Sequence, residues 1–386
     1  MSAIPPSGIR RVTDEVSRLE KTGRRIINLT IGRPDFDTPE HIKAAAQKAL
    51  SDGFVHYTNN RGIDELREAL SDKFRAENNV DYSVSEIIVT VGANEAVSMA
   101  ITAMLDEGDE VLAPDPSWPH YKWCAAMVGA KPVDLPIIEA NQFGYDPDQI
   151  ESLITPRTRM LIINTPHNPS GSVTDISALE RIAELAVRHN LVVVADEIYE
   201  KLVYDDAKHY SIASLPGMKE RTITINGFSK AYSMTGWRLG YVAAPQNMTD
   251  AMLRVHQYTT TCATSFAQKG AVAAVTGPQD CVEMMRQEFD RRRRLLAEKI
   301  PQIPGLRLPQ VPKGAFYAFI DCRGLGVKSD EANSMFLQEA GVAMVPGTAF
   351  GNYGEGYLRL AYSASYDDIA EALVKMEEVV KQKNLG

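Results

Sequence analysis

Between residues 87 and about 275, β-branched apolar runs alternate with helical stretches, and this alternation restricts the fold more than any other feature of the chain. Ile87-Ile88-Val89-Thr90-Val91, Met160-Leu161-Ile162-Ile163, Leu191-Val192-Val193-Val194-Ala195 and Thr222-Ile223-Thr224-Ile225 read as buried strands. Intervening segments such as 176–189 read as helices. Strands separated by helices pair mainly in parallel, with helices on both faces of the sheet, so the expected fold class is α/β. Three of these runs end in polar side chains: Asn164 to Asn168 after the second, Asp196 to Tyr199 after the third, Ser229-Lys230 after the fourth. Polar groups at the carboxyl ends of such strands lie where open α/β sheets bind ligands.

The flanking regions have a different texture. Helices are expected over 10–22, with Val12, Val16 and Leu19 on one side, and over 39–50 and 64–77. Beyond residue 285 a long helix (280–300) leads into a strand at 314–320, a helix near 330–340, a short strand and a closing helix at 366–381. These make a smaller α+β unit. A length of 386 residues allows two or three domains' worth of core.

A net charge of −9 argues against nucleic acid as a partner. The basic run Arg291-Arg292-Arg293-Arg294 reads as a solvated helix face. Cys124, Cys262, Cys281 and Cys322 have no metal-type spacing and fit reduced thiols, and no metal site is expected. No signal-like or membrane-length apolar run is present, so a cytoplasmic location is expected.

Lys230 sits between Ser229 and Ala231, with Arg238 eight positions later in Gly236-Trp237-Arg238. A lysine that forms a Schiff base, and an arginine close enough to hold a phosphate, are what pyridoxal 5′-phosphate chemistry requires. Taken with Ile31-Gly32-Arg33-Pro34-Asp35-Phe36-Asp37-Thr38-Pro39, Asn164-Thr165-Pro166-His167-Asn168-Pro169, Asp196-Glu197-Ile198-Tyr199 and Tyr357-Leu358-Arg359-Leu360, the chain resembles a fold-type-I, class I aminotransferase of the bacterial aspartate aminotransferase-like subgroup over essentially its whole length.

The resemblance implies a large cofactor-binding domain over 45–285 and a discontinuous small domain of 1–44 and 286–386. It implies that Lys230 carries the cofactor as a Schiff base and moves protons, that Asp196 pairs with the pyridine nitrogen, and that Tyr199 and Asn168 bond the phenolic oxygen. Trp118 would stack on the ring. Ser229, Arg238 and the backbone of Gly92-Ala93-Asn94, taken to precede a helix opening at Glu95, would hold the phosphate. Tyr57 would reach that phosphate from the neighbouring subunit of a homodimer. Arg359 would clamp the substrate α-carboxylate, with Gly32 letting the backbone approach it and Asn168 also on the substrate side.

The substrate side chain is less constrained. Aspartate-selective relatives of this subgroup carry a lysine where this chain has Asn94, and a threonine where it has Ile9. Neither Asn94 nor Ile9 supplies a charge, and Ile9 makes that side of the pocket apolar. His167 matches kynurenine-, glutamine- and methionine-type enzymes. Broad neutral or aromatic donor specificity is therefore placed ahead of the alternative, an aspartate/glutamate aminotransferase, with glutamate and 2-oxoglutarate able to serve as the second pair. A carbon–sulfur β-lyase uses the same lysine and cofactor and stays open as a different outcome.

Overall fold

A computed structural model describes residues 4–385. Its centre is a seven-stranded sheet. Across it the strands run Ile87–Thr90, Gly240–Ala243, Thr222–Gly227, Val192–Asp196, Thr158–Asn164, Glu110–Asp115 and Lys131–Pro136. Gly240–Ala243 pairs antiparallel with both of its neighbours, and every other pairing is parallel. The inner strands are buried along nearly their whole length, with Arg159 exposed and Val192 half-buried near their starts, which is why most of them read as apolar runs. Helices such as Gly92–Met104 and Ile176–Arg188 cover the sheet. The second of these is started by Asp175, whose carboxylate accepts the Ala178 N–H at 2.8 Å.

A second core joins the N-terminal segment to the C-terminal region. Ile27 and Leu29 pack with Phe289, Phe316, Leu358 and Met376. Ile27–Asn28 pairs in parallel with Val342–Ala343, and Val345–Pro346, Tyr357–Ala361 and Tyr317–Asp321 form a separate antiparallel sheet. The closing helix Tyr366–Gln382 is capped by Ser365, whose hydroxyl accepts the Asp368 N–H. It lays Ile369, Leu373, Met376 and Val380 into this core.

Most expected elements are present, with three differences. The helix placed at Glu95 begins at Gly92. Gly92 adopts φ +77°, which turns the chain from strand to helix within two residues, and Glu95 accepts the Val91 N–H instead of opening the helix. The strand expected at 314–320 starts at Tyr317, because Ala315 lies at φ +56° and Gly314 bridges instead to Val203. The four-arginine run is not a solvated face. Arg291 and Arg294 are exposed, but Arg292 and Arg293 are buried and ion-paired with Asp35 and Glu288, and with Asp205 and Asp290, respectively. Val282, Met285, Phe289, Leu295 and Leu296 share one buried face of the helix with Arg292 and Arg293, and Arg291 and Arg294 fall on the opposite, solvent side. No helix of the described residues is long and apolar enough to cross a membrane.

Candidate active site

A cavity of about 510 Å³ opens at the carboxyl ends of the central strands. Asn164 and Asp196 end adjacent strands and face each other in register. The Asn164 amide donates to the Asp196 carbonyl at 3.1 Å, and its oxygen accepts the Asn168 N–H at 2.9 Å. Asp196 is buried. Its Oδ2 accepts the Tyr121 hydroxyl at 2.6 Å and its Oδ1 the Ile198 N–H at 3.2 Å. Burial still raises its pKa, against the pull of those two donors and of Lys230.

Lys230 reaches into the same cavity and donates to the Gly32 carbonyl at 2.7 Å. Its Nζ lies 5.7 Å from the ring centres of both Tyr199 and Phe316. Burial lowers the amine's pKa to about 8, with Arg359 and Arg238 pushing in the same direction and Asp196 opposing. The amine is thus far closer to neutrality near pH 7 than an ordinary lysine.

Arg359, on the strand Tyr357–Ala361, is buried without a carboxylate partner among the described residues. It donates to Asn168 Oδ1 at 3.1 Å and to the Thr30 carbonyl, and its Nε has no partner. The rings of Tyr317 and Phe350 lie 4.5 and 4.6 Å from its guanidinium carbon. Tyr317 also shares a hydrogen bond of 2.8 Å with Tyr199, and a Cβ on Gly32 would overlap its hydroxyl. Arg238, at φ +52°, donates to the Thr235 carbonyl at 3.1 Å. Its guanidinium lies against the start of the helix Gly92–Met104, where a Cβ on Gly92 would come within 2.7 Å of it. Only glycine fits there.

The cavity wall contains Ile9, Gly32, Ala93, Asn94, Trp118, Asn168, Asp196, Tyr199, Ser229, Lys230, Arg238 and Arg359. Gly92 stands just behind Arg238. Tyr57 is not on the wall of this single chain and is 87% exposed. His167 is not on the wall either. It is buried with its Nδ1 2.7 Å from Ser170 Oγ, and burial lowers its pKa to about 3. The sequence assigned no site role to Tyr121, Asn164, Thr30, Tyr317, Arg10 or Arg33, although Asn164 and Arg33 stand within its motifs. Asn164 was legible, as a polar residue ending a strand like Asp196. Tyr121 and Tyr317 carry no such signal, because aromatic residues in a helix and a strand read as core.

Residues 24–375 match the family of class I and II aminotransferases. The chain belongs to this family. Over 389 aligned residues it is 45% identical to the aspartate aminotransferase of Pyrococcus abyssi and, equally, to aromatic-amino-acid aminotransferase 2 of Thermococcus litoralis, covering all of this chain and 98% of each relative. The crystal structure of an aromatic aminotransferase from Pyrococcus horikoshii superposes with a TM-score of 0.91 at 45% identity, over 96% of this chain and 99% of that one. The aspartate aminotransferase of Thermus thermophilus with maleate superposes at 0.93 and 39% identity, over 98% of both chains. The enzyme is a fold-type-I, pyridoxal 5′-phosphate-dependent aminotransferase.

The donor set of this class I and II aminotransferase fits that cofactor. Burial raises the pKa of Asp196 for want of a cationic partner, which a protonated ring nitrogen would supply; a lysine lowered to about 8 suits a carbonyl carbon, and a guanidinium at a helix N-terminus suits a phosphate.

Proposed function

We propose that the enzyme moves the amino group of an L-amino acid with a neutral or aromatic side chain to a 2-oxo acid in two half-reactions at one cavity. One observation carries this reading: Lys230, Asp196, Arg238 and the acid-free buried Arg359 converge on a single cavity.

When bound, pyridoxal 5′-phosphate supplies an electron sink for a proton lost from the substrate's Cα. In this reading Lys230 would hold the cofactor covalently and, as a free amine beside the substrate, would accept and return the Cα proton. Asp196, which also accepts from Tyr121, would pair with the pyridine nitrogen. Asn168 and Tyr199 would bond the phenolic oxygen, and Trp118 would lie against the ring. Ser229, Arg238 and the N–H groups of Gly92, Ala93 and Asn94 would hold the phosphate. Arg359 pairs with the α-carboxylate beside Gly32, which fixes the Cα opposite Lys230. Ile9, Ile31 and Trp118 supply apolar wall to the side chain, and Asn94 brings no charge.

We further propose that a second copy of the chain contributes Tyr57 to the phosphate. Tyr57 and Tyr258 are the most exposed large apolar side chains among the described residues, and the loop carrying Tyr57 is tied to the turn after the helix Gln246–Thr259, which carries Tyr258, by Asn60 donating to the Thr261 carbonyl at 2.7 Å. We take 45–285 as one domain and 1–44 with 286–386 as the other, with Arg359 and Lys230 on opposite sides of the junction.

The test is a set of single half-reactions. The cofactor-loaded enzyme is mixed with L-methionine, L-phenylalanine, L-glutamine, L-kynurenine, L-glutamate or L-aspartate without acceptor, and the absorbance of the bound cofactor is followed. Lasting conversion to the amine form, fastest with a neutral or aromatic donor, is the expected outcome. Return of the starting spectrum with release of ammonia and a keto acid would replace transamination by elimination.

A further inference from the structure

The turn that carries Asp196 and Tyr199 also carries two acids that are not on the cavity wall, Glu197 and Glu200. The Glu200 N–H donates to the Glu197 carbonyl at 2.9 Å, so the turn brings together two side chains that stand three residues apart. His209 joins them from the following loop, and one ligand atom from each of the three lies within 4.8 Å of the others. The side chains of Glu197, Glu200 and His209 are 1%, 8% and 8% exposed.

The neighbours of these three groups balance one acid and leave the other short. Glu200 is paired with Lys73, and Asn78 donates to its Oε2 at 2.8 Å. Lys73 is itself held by Asn78 Oδ1 at 2.7 Å. Glu197 accepts the Ser211 hydroxyl on Oε1 at 2.8 Å, but its Oε2 has no donor among the described residues. His209 Nε2 lies 3.2 Å from that oxygen without the alignment of a hydrogen bond, and neither ring nitrogen has a partner. Buried polar atoms are nearly always paired. A carboxylate oxygen and an imidazole that face each other with nothing donated between them form an arrangement that a shared cation completes.

We propose that Glu197, Glu200 and His209 bind a divalent transition-metal ion of the zinc class, at a site separate from the cavity. One imidazole, two carboxylates and a water make the four-coordinate shell of nitrogen and oxygen that Zn²⁺ accepts. Three protein ligands, one of them nitrogen, are a poor match for calcium, which takes more oxygens. Bonds of about 2.1 Å place ligand atoms about 3.4 Å apart around a tetrahedral ion, a spacing that small side-chain rotations reach from this cluster. Glu200 binds through a lone pair that Lys73 and Asn78 leave free, since a carboxylate offers about four acceptor positions. Ser211, Asn78 and Lys73 are the outer partners that orient the ligands. The ion ties the turn at 197–200 to the loop at 209–211, and so braces the segment on which Asp196 and Tyr199 stand without touching substrate or cofactor. The lack of metal-type cysteine spacing has no bearing on this set, which contains no cysteine.

The test uses the cofactor-loaded enzyme without an affinity tag, dialysed against a chelator and titrated with Zn²⁺ by calorimetry. Co²⁺ is the second probe, because a tetrahedral Co²⁺ ion absorbs visible light to the red of the cofactor. The variants are Glu197→Gln and His209→Gln, with His189→Gln, at an exposed histidine, as control. Wild type should bind one Zn²⁺ per chain with a rise in melting temperature, and should give the tetrahedral Co²⁺ spectrum. Each cluster variant should weaken Zn²⁺ by more than about a hundredfold, since losing an outer partner alone costs roughly ten- to hundredfold, and should lose the rise in melting temperature. The control should match wild type. Glu197→Gln keeps the shape of the side chain, and anomalous diffraction at the zinc edge from wild-type crystals locates the ion without any variant. No binding, zinc located elsewhere, or binding that neither variant weakens overturns the proposal and leaves Glu197 and His209 as a buried pair sharing a proton. None of these outcomes bears on the roles of Lys230 and Arg359.

Discussion

Arg292 and Arg359 are both almost wholly sealed from solvent, at 4% and 2% exposure, yet only the first has acidic partners. Arg292, on the helix Asp280–Lys299, donates twice to Asp35, at 2.8 and 3.0 Å, and once to Glu288 at 2.9 Å. Arg359 donates to an amide oxygen and a peptide carbonyl, lies between two aromatic rings, and keeps its Nε unbonded. Taking a guanidinium out of water costs several kcal/mol, which carboxylates offset at Arg292 and nothing of equal strength offsets at Arg359. Burial accordingly lowers the pKa of Arg359. One arginine holds the fold together. The other, buried without a carboxylate partner among the described residues, is the one proposed to take a substrate carboxylate.

The sharpest way to break this comparison is to neutralise both. Arg359→Gln should lower kcat/KM about a hundredfold, the scale of losing two hydrogen bonds to a charged carboxylate, with a melting temperature near that of wild type. A large loss of stability at this position would mean that Arg359 is structural after all. Arg292→Gln should do the reverse. It leaves Asp35 and Glu288 without their shared partner and should cost about 2 kcal/mol of stability, below the range for fully buried pairs because both acids are partly exposed. Steady-state kinetics of the folded fraction should be unchanged.

A smaller effect is expected at the cavity floor. Tyr121→Phe removes the 2.6 Å hydrogen bond that lowers the proton affinity of Asp196. The carboxyl pKa then rises further, so the acid limb of the pH–rate profile should move to higher pH and kcat/KM fall about tenfold near neutrality. An unmoved acid limb would separate Tyr121 from the titration of Asp196.

A last effect, spread over a pH range, belongs to the cofactor-free chain. Lys230 has a folded pKa of about 8 against an ordinary value of 10.5, so the folded state binds fewer protons than the unfolded one between those values. Its penalty is full below about pH 8 and fades as pH rises to 10.5. Urea midpoints of the cofactor-free wild type should therefore gain on those of Lys230→Met across that window, and a constant difference would refute the shift.

What could be read early differs between the two arginines for a physical reason. Arg359 was recognisable because its Tyr-Leu-Arg-Leu context belongs to a family motif. Arg292 was misread, because a run of four arginines on a helix gives no sign of which side is buried. Helix spans at 64–77, 176–189 and 366–381 were legible from local periodicity, a property that a short stretch of chain carries by itself. The wall residues Tyr121, Thr30, Tyr317, Arg10 and Arg33 were not, since each matters only through a neighbour far away in sequence.

The sequence alone determined the alternation that builds the parallel sheet and the polar groups at its strand ends, which follow from side-chain pattern along a continuous stretch, and through its resemblance to the family it pointed to Lys230, Asp196, Arg238 and Arg359. Only the tertiary structure decided that Asp196 meets Tyr121, that Lys230 is lowered toward neutrality, that Arg359 is buried without an acid, and that Arg10 and Arg33 share its cavity. Proton affinity and charge pairing depend on distances through space and on exclusion of water, and folding sets both only when remote segments come together.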